Sequence, residues 1–150
     1  MTELAARIAA TVPETWERLG RPMDRRLVDA ALDAAASLPT TADRMVDWDL
    51  WDGNVLAGSR LPWVVIDPRS AVGPPEFGVA QLLWRQVDDM TGSADLERCL
   101  STVVDAAGID AASTRGWTVV RVVDYWLWAL GVGLTHDPMR CATLLDWLVA

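Results

Sequence analysis

Three side chains, Asp49, Asn54 and Asp67, have the types and the spacing that could carry chemistry. Asn54 follows Asp49 by five positions, and Asp67 comes directly after the apolar segment that ends at Ile66. An aspartate can orient a hydroxyl group and accept its proton, while carboxylate and amide oxygens are ligands that magnesium accepts. Such a set is what phosphoryl transfer asks of a protein, because that reaction needs position and charge more than covalent help. The spacing therefore predicts Asp49 as a catalytic base and Asn54 and Asp67 as magnesium ligands.

Each of these residues also has an ordinary structural interpretation. Asp49 can form an Asx-turn or a cap, Asn54 is a common turn residue, and Asp67 can end a strand before Pro68. Spacing alone does not separate the two interpretations, because an Asp followed by an Asn at this distance is frequent.

The groups that hold nucleotide phosphates are missing from the sequence. All 13 basic residues are arginine, so this chain has no lysine for the α- and β-phosphates. Gly131-Val132-Gly133 lacks the third glycine of a phosphate loop and follows an apolar, helix-like stretch instead of a strand.

Size and charge restrict the classes of protein that remain. With 150 residues, of which 51% are hydrophobic, we expect a single domain over residues 1–150. The net charge of −8 argues against a nucleic-acid partner, because phosphate neutralisation needs a basic surface. The acidic surface either favours cationic small molecules or serves solubility.

Cysteine, histidine and hydropathy predict a soluble, cytoplasmic protein. Cys99 and Cys141 occupy apolar positions of helical patterns, which indicates buried free thiols in a reducing compartment. His136 is the only histidine and is predicted to lie in a loop, which leaves little material for a histidine-based metal site or triad. The N-terminus has no pattern of a secretory signal, and charged residues interrupt the most apolar stretch, 117–134, so no membrane partner is expected.

Periodicity predicts mainly helices around a short hairpin. A weak helix over 3–19 is expected to break at Pro13, and two short strands are expected around residues 54–66. The other predicted helices are 25–38 with Asp24 as N-cap, one that opens at 73–75, 94–107 with Ser93 as N-cap, 111–130 as the central buried helix, and a last one that starts at Asp137-Pro138.

Three further residues have two possible roles each. Asp124 lies in the otherwise apolar helix 111–130, and Arg121, one turn earlier, is its expected ion-pair partner in preference to a ligand. Trp48 and Trp51 flank Asp49 and either wall a substrate pocket or cover an otherwise bare surface.

The sequence resembles the aminoglycoside phosphotransferase family, in particular its streptomycin and hydroxyurea phosphotransferase branch. The resemblance rests on motifs that extend from about Trp16 onward: Asp49-Leu50, Asn54-Val55-Leu56, Ile66-Asp67-Pro68, Gly73, Pro75, Phe77, Leu82-Leu83-Trp84, Arg121 to Trp128 and Asp137 to Cys141. It implies an α+β, predominantly α fold: a protein-kinase-like C-terminal lobe, helical with a short β-hairpin at the catalytic loop and with the N-terminal lobe absent. It also implies Asp49 as the base, Asn54 and Asp67 as magnesium ligands, and ATP with Mg²⁺ as cofactors.

The sequence departs from the family pattern beside the proposed base. Asp47-Trp48 replaces His-Gly, Trp51 replaces a histidine, Arg69 stands where a lysine is usual, and Pro74 replaces an acidic residue. Loss of a glycine at this point can change the backbone of the loop.

Two functions follow from these observations. The first is a phosphotransferase that moves the ATP γ-phosphate to a hydroxyl of an aminoglycoside-like acceptor. The alternative is a catalytically inactive lobe that self-associates or binds a partner, because a missing lobe would expose an apolar patch. We therefore expect a homodimer or a separate N-lobe partner.

Overall fold

A computed structural model describes residues 2–40 and 44–149. Six α-helices and four short strands make up most of this part of the chain. They are α1 (Thr2–Arg18), α2 (Arg25–Ser37), β1 (Met45–Asp47), β2 (Val55–Ala57), β3 (Trp63–Val65), β4 (Ser70–Val72), α3 (Val79–Gln86), α4 (Ser93–Ala107), α5 (Ala111–Gly131) and α6 (His136–Val149). Short 3₁₀ turns cover Asp52–Asn54, Pro75–Gly78 and Val87–Asp89.

Helix α5 forms the centre of the fold, as its apolar pattern predicts. It packs against α1, α2, α3 and α6, and it is buried on nearly every side. A helix that is apolar all round is most stable when other helices cover it completely, because this removes its apolar surface from water. The predicted inward face of α6 is confirmed as well, with Cys141, Leu144, Leu145 and Leu148 buried.

The predicted break of the first helix at Pro13 is wrong. α1 is continuous from Thr2 to Arg18 with Pro13 inside it. Proline removes one backbone donor, which costs free energy in a helix interior. Ile8, Val12 and Trp16 are buried on the same helix, and we infer that their packing offsets this cost.

The helix starts are partly as predicted. Asp24 caps α2 by accepting a hydrogen bond from the backbone N–H of Arg26. Ser93 is not an N-cap: α4 begins at Ser93 itself, after Gly92. The Asp95 carboxylate accepts from the backbone N–H and hydroxyl of Thr91, at 2.7 and 2.6 Å, and so ties down the segment before the helix.

The start of α6 also differs from the prediction. The helix begins at His136, so His136 is not in a loop and Asp137 lies within the first turn instead of capping it. The Asp137 carboxylate accepts a hydrogen bond of 2.5 Å from the Tyr125 hydroxyl of α5. This tertiary contact, together with the favourable position of a carboxylate near a helix N-terminus, accounts for the earlier start.

Two antiparallel strand pairs support the segment around Asp49. The pair β2–β3 is the predicted hairpin, with Val55 opposite Val65 and Ala57 opposite Trp63. The pair β1–β4 is not visible in the local sequence pattern, because its strands have three residues each and lie far apart in the chain. Together they give a mostly helical α+β fold with small antiparallel sheets. None of the helices described is long and apolar enough to cross a membrane.

Candidate active site

Asp49 lies two residues beyond the end of β1, and both oxygens of its carboxylate have partners. The Gln81 side chain donates to Oδ1 at 2.9 Å, and the Arg69 guanidinium lies 3.3 Å from Oδ2. The Asp49 side chain is still 27% exposed. The carboxylate is therefore fixed in orientation and accessible from solvent at the same time.

Gln81 is a positioning residue that the sequence analysis missed. It lies on α3, is only 3% exposed, and contacts the Asp49 carboxylate from the helical core. A buried amide needs partners, since an unsatisfied one costs about 1–3 kcal/mol. The signal for it in the sequence is small: a polar residue among the apolar positions of a short helix.

Asp47 joins the two backbone segments of the site. Its Oδ1 accepts from the backbone N–H groups of Asp49 and Arg69, both at 3.1 Å, and Trp48 N–H donates to the Arg69 carbonyl at 3.0 Å. Oδ2 of Asp47 is buried without a hydrogen-bond partner among the described residues. The aspartate that replaces the histidine of the family pattern thus holds the loop of Asp49 against the segment of Arg69.

Arg121 of α5 holds the backbone of the same loop. Its predicted pairing with Asp124 is wrong. Its guanidinium donates to the backbone carbonyls of Trp48, at 2.9 Å, and Phe77, at 3.2 Å. Asp124 instead forms an ion pair of 3.2 Å with Arg7 of α1. The local helical spacing suggested a partner one turn away, but α1 brings a more accessible arginine to Asp124.

Burial changes the acidity of Arg121 without removing its charge. The residue is 9% exposed, and desolvation lowers its pKa to about 10 while the charges of Asp124 and Asp49 act in the opposite direction. Its guanidinium also lies 4.5–5.7 Å from the ring centroids of Trp48, Phe77 and Trp84. Aromatic faces attract a cation, so at neutral pH Arg121 is a buried, charged brace for the Asp49 loop.

A cleft of about 480 Å³ lies next to Asp49. One wall is a continuous row of aromatic rings: Trp84 stacks on Tyr125 at a centroid distance of 4.4 Å, and Tyr125 contacts Trp128 at 5.4 Å. Burial and the hydrogen bond to Asp137 raise the pKa of Tyr125, so its hydroxyl stays protonated and donates. The cleft is lined by Arg7, Trp48, Asp49, Arg69, Gln81, Trp84, Arg85, Arg121, Asp124, Tyr125 and Trp128.

Of the two tryptophans beside Asp49, only Trp48 lines this cleft. Its ring centroid lies 5.8 Å from the guanidinium of Arg69 and 5.4 Å from that of Arg121. Trp51 instead packs under Arg85 at 4.7 Å and over Gly53, where a Cβ would come within 2.3 Å of its ring. Trp48 therefore walls the pocket, while Trp51 covers the turn that leads to Asn54.

Asn54 and Asp67 lie at the same end of the β2–β3 hairpin. The Ile66 N–H donates to the Asn54 carbonyl at 2.9 Å, which extends the strand pairing by one residue and places Asp67 just beyond it. The Asn54 side-chain amide donates to the Asp49 carbonyl at 3.3 Å, and no hydrogen bond among the described residues uses its Oδ1. Asp67 is exposed and has a left-handed backbone with φ of 48°.

These groups have the donor chemistry of a magnesium site. A carboxylate and an amide oxygen suit a hard cation, and magnesium commonly completes its shell with water and substrate phosphates. Among the described residues, no three His, Cys, Asp or Glu side chains cluster as metal ligands. A cation here would therefore depend on Asn54, Asp67 and oxygens from outside the protein, and the shared coordination stays a prediction.

The family model described as aminoglycoside/hydroxyurea antibiotic resistance kinase matches residues 2–133, and the chain belongs to this family. The chain is 35% identical to a streptomycin 6-kinase of Streptomyces glaucescens over 97% of its own length and 49% of that protein. It is 37% identical to a hydroxyurea phosphotransferase of Kitasatospora aureofaciens, over 98% of its own length and 42% of that protein. A streptomycin 6-kinase of Streptomyces griseus is 33% identical over 89% of the chain and 45% of the relative.

The chain spans a little less than half the length of these relatives. No solved structure matches it. The resemblance inferred from the motifs around Asp49 is confirmed by these matches, and the relatives' names support a phosphotransferase family. They give no support to the alternative of an inactive binding module.

Proposed function

We propose that this chain forms the acceptor-binding side of a small-molecule phosphotransferase, which moves the γ-phosphoryl group of ATP to a hydroxyl. The observation that carries the proposal is the Asp49 carboxylate, which is held by Gln81 and Arg69 and faces a cleft of about 480 Å³. A carboxylate fixed in orientation and open to a cleft is the arrangement that an acceptor hydroxyl needs.

In this mechanism Asp49 acts on the acceptor. The hydroxyl binds in the cleft and donates its hydrogen bond to the Asp49 carboxylate, which receives the proton as the acceptor oxygen attacks the γ-phosphorus. The new O–P bond forms while the bond between the γ-phosphorus and the ADP oxygen breaks, and the proton later leaves Asp49 for solvent. Arg69 and Gln81 keep the carboxylate aimed at the hydroxyl throughout.

Asn54 and Asp67 would hold magnesium at the hairpin end of the site. The bound ion would neutralise the charge of the phosphates. Asn54 would contribute a neutral oxygen to the ion. Its amide nitrogen donates to the Asp49 carbonyl, so one side chain links the two ends of the site.

We expect the phosphate clamp, a glycine-rich loop with a lysine, to be supplied by residues other than these 150. The relatives are about twice as long as this chain, and the chain has no lysine. The hairpin beside Asn54 and Asp67 is the surface that such a segment would cover, because its apolar side chains lie open to solvent. They are Leu56, Leu61, Trp63, Val64, Val65 and Ile66.

The first experiment measures ATP binding and turnover by the 150-residue chain. We expect Mg-ATP to raise the melting temperature of the chain. Transfer of labelled γ-phosphate is then measured with streptomycin and hydroxyurea, the acceptors in the relatives' names. The absence of both a thermal shift and phosphate release would reject activity of the 150-residue chain on its own.

The second experiment measures association. Sedimentation at micromolar concentration is expected to show a complex with a polypeptide that carries the clamp, and addition of that polypeptide should restore transfer. A homodimer without it would assign the exposed hairpin to self-association, and a monomer under both conditions contradicts the proposal that the hairpin is an interface.

A further inference from the structure

One ion pair lies where three cavities meet. Arg7 of α1 and Asp124 of α5 both line the Asp49 cleft, of about 480 Å³, a groove of about 340 Å³ between α1 and α5, and a smaller cavity of about 270 Å³ next to Phe77. The cleft and the α1–α5 groove also share Trp128, which is 54% exposed. Since these three lining residues are common to both, the groove adjoins the cleft, and the pair of Arg7 and Asp124 lies at their boundary.

The contact between Arg7 and Asp124 is a single one. Nη2 of Arg7 donates to Oδ2 of Asp124 at 3.2 Å, and no hydrogen bond among the described residues uses Oδ1. The Arg7 side chain is 52% exposed and that of Asp124 29%. An exposed ion pair of this kind contributes little to stability, because solvent screens it and a long side chain loses conformational freedom to form it. Arg7 can therefore leave Asp124 at small cost.

The α1–α5 groove offers room for the far part of a molecule that extends past Arg7. Thr11 and Thr15 of α1 supply hydroxyl groups to it, and Trp128 supplies an aromatic ring. Gly131, at the end of α5, lines the groove without a side chain, and a Cβ added there would meet no atom within 4 Å. The groove is therefore open at a position where a larger residue would occupy it.

We propose that Arg7 is the specificity-determining residue of the Asp49 cleft, because it competes with a cationic group of the acceptor for Asp124. With Arg7 on Asp124, the cleft admits a small acceptor. A larger acceptor places its cationic group on Asp124 instead and extends into the α1–α5 groove. One cation then replaces another and the carboxylate stays paired, whereas a neutral molecule would leave it without a counter-charge. This inference rests on the proposed function and adds the residue that separates acceptors by size and charge.

The two acceptors in the relatives' names provide the probes. Streptomycin is a large polycation with guanidinium groups, and hydroxyurea is a small neutral molecule. Both are titrated calorimetrically, without nucleotide, into the unchanged chain and into Arg7→Ala. We expect Arg7→Ala to bind streptomycin about fivefold more tightly, since an exposed ion pair no longer has to be broken, and to leave the hydroxyurea titration unchanged.

Two further variants separate this exchange from a change in net charge. Arg98→Ala on α4 removes an exposed arginine that pairs with Asp95 outside the cleft and the groove, and it should leave both titrations unchanged. Arg7→Lys keeps a cation for Asp124 and should return the streptomycin affinity to that of the unchanged chain, because the pair uses one donor and not the fork of the guanidinium. Circular dichroism checks the folded state of each variant.

Gly131→Leu tests the groove itself. The added side chain starts in open space and occupies the groove, so streptomycin affinity should fall about tenfold, in the unchanged chain and in Arg7→Ala alike, while hydroxyurea is unaffected. An unchanged streptomycin affinity in Gly131→Leu overturns the proposal.

The proposal is also overturned if streptomycin binds no more tightly to Arg7→Ala than to the unchanged chain, which includes no binding to either at millimolar concentration. An equal gain with Arg98→Ala overturns it as well, because net charge alone would then decide. None of these titrations needs ATP or a second polypeptide. A failure of phosphoryl transfer therefore rejects the proposed function without affecting this test, and an unchanged affinity in Arg7→Ala rejects the role of Arg7 alone.

Discussion

The two ends of the proposed site are supported very differently. At one end, the loop of Asp49 is held by Arg121 and Gln81 from the helical core and by the Asp47 carboxylate from β1. At the other end, Asn54 and Asp67 sit on a hairpin with three paired residues in each strand, and Trp63 of that hairpin is 68% exposed.

This difference separates what the chain prepares by itself from what it needs from outside. The orientation of Asp49 is fixed by buried contacts, which persist without a ligand. A two-stranded hairpin with little buried surface is marginal in water, so we expect the positions of Asn54 and Asp67 to be less firmly fixed than that of Asp49. Chemistry at the acceptor end and assembly at the hairpin end should therefore respond to different substitutions.

The largest expected effect is loss of transfer in Asp49→Asn. The amide keeps the shape and the contact with Gln81 but cannot accept a proton, so the rate should fall by about 10²–10⁴-fold. Phosphate transfer in the presence of the clamp-bearing polypeptide is the measurement. Asp52→Asn, three residues along and exposed, is the matched control and should keep full activity; equal rates in both variants would remove Asp49 from the mechanism.

Substitution of Arg121, which holds the Asp49 loop, should destabilise the fold. Arg121→Met leaves the carbonyls of Trp48 and Phe77 without a donor and is expected to lower the free energy of unfolding by about 2–4 kcal/mol. Urea denaturation gives the value. Arg98→Met, on the exposed face of α4, should change it by less than about 0.5 kcal/mol. If the two variants were equally stable, the Asp49 end would have no more support than the surface.

Hydrogen exchange compares the two ends directly. Amides paired between β2 and β3 should exchange about 100-fold faster than those of α5, because the hairpin opens without unfolding the core. Mass spectrometry of peptides that cover 54–66 and 117–130 measures the ratio. Addition of Mg-nucleotide should slow amide exchange only in the peptide that covers 54–66. Similar exchange rates in both peptides would contradict the predicted difference between the two ends of the site.

Gln81→Met tests the orientation of Asp49 with a side chain of similar volume. The rate of transfer should fall about tenfold, or about 1.4 kcal/mol in activation free energy, while the KM for ATP stays unchanged. Gln81→Glu, which can donate only when protonated, should restore activity toward acid pH. A uniform change in KM with no change in kcat would assign Gln81 to binding.

The smallest effect is expected for Trp63→Ser on the hairpin. Since this ring is mostly exposed, the free energy of unfolding should change by less than about 0.5 kcal/mol. Association with the clamp-bearing polypeptide should weaken at the same time, as sedimentation would show. Arg60→Ser, on the exposed turn of the same hairpin, is the control. A large loss of stability would show that the hairpin is part of the core.

Local pattern was sufficient where one residue or one periodic face decides the structure. The apolar surround of α5, the inward face of α6 and the Asp24 cap follow from side-chain type and spacing alone. The motifs around Asp49 and Asp67 were also sufficient to predict the family. The local pattern gave the wrong prediction at Pro13, because it does not include the tertiary packing of α1. It was also wrong at Ser93, where the Asp95 carboxylate bonds to Thr91 before the helix begins.

By itself, then, the sequence determined the helical core, the family and the choice of Asp49, Asn54 and Asp67 as candidate site residues, because each depends on spacing along the chain. Only the tertiary structure decided how Asp49 is held and what surrounds it. Gln81 and Arg121 reach its loop from separations of 32 and 73 residues along the chain, the latter through the Trp48 carbonyl. The cationic lining of an acidic molecule arises in the same way, since arginines from α1, α3, α5 and the segment between β3 and β4 become neighbours only in the folded chain.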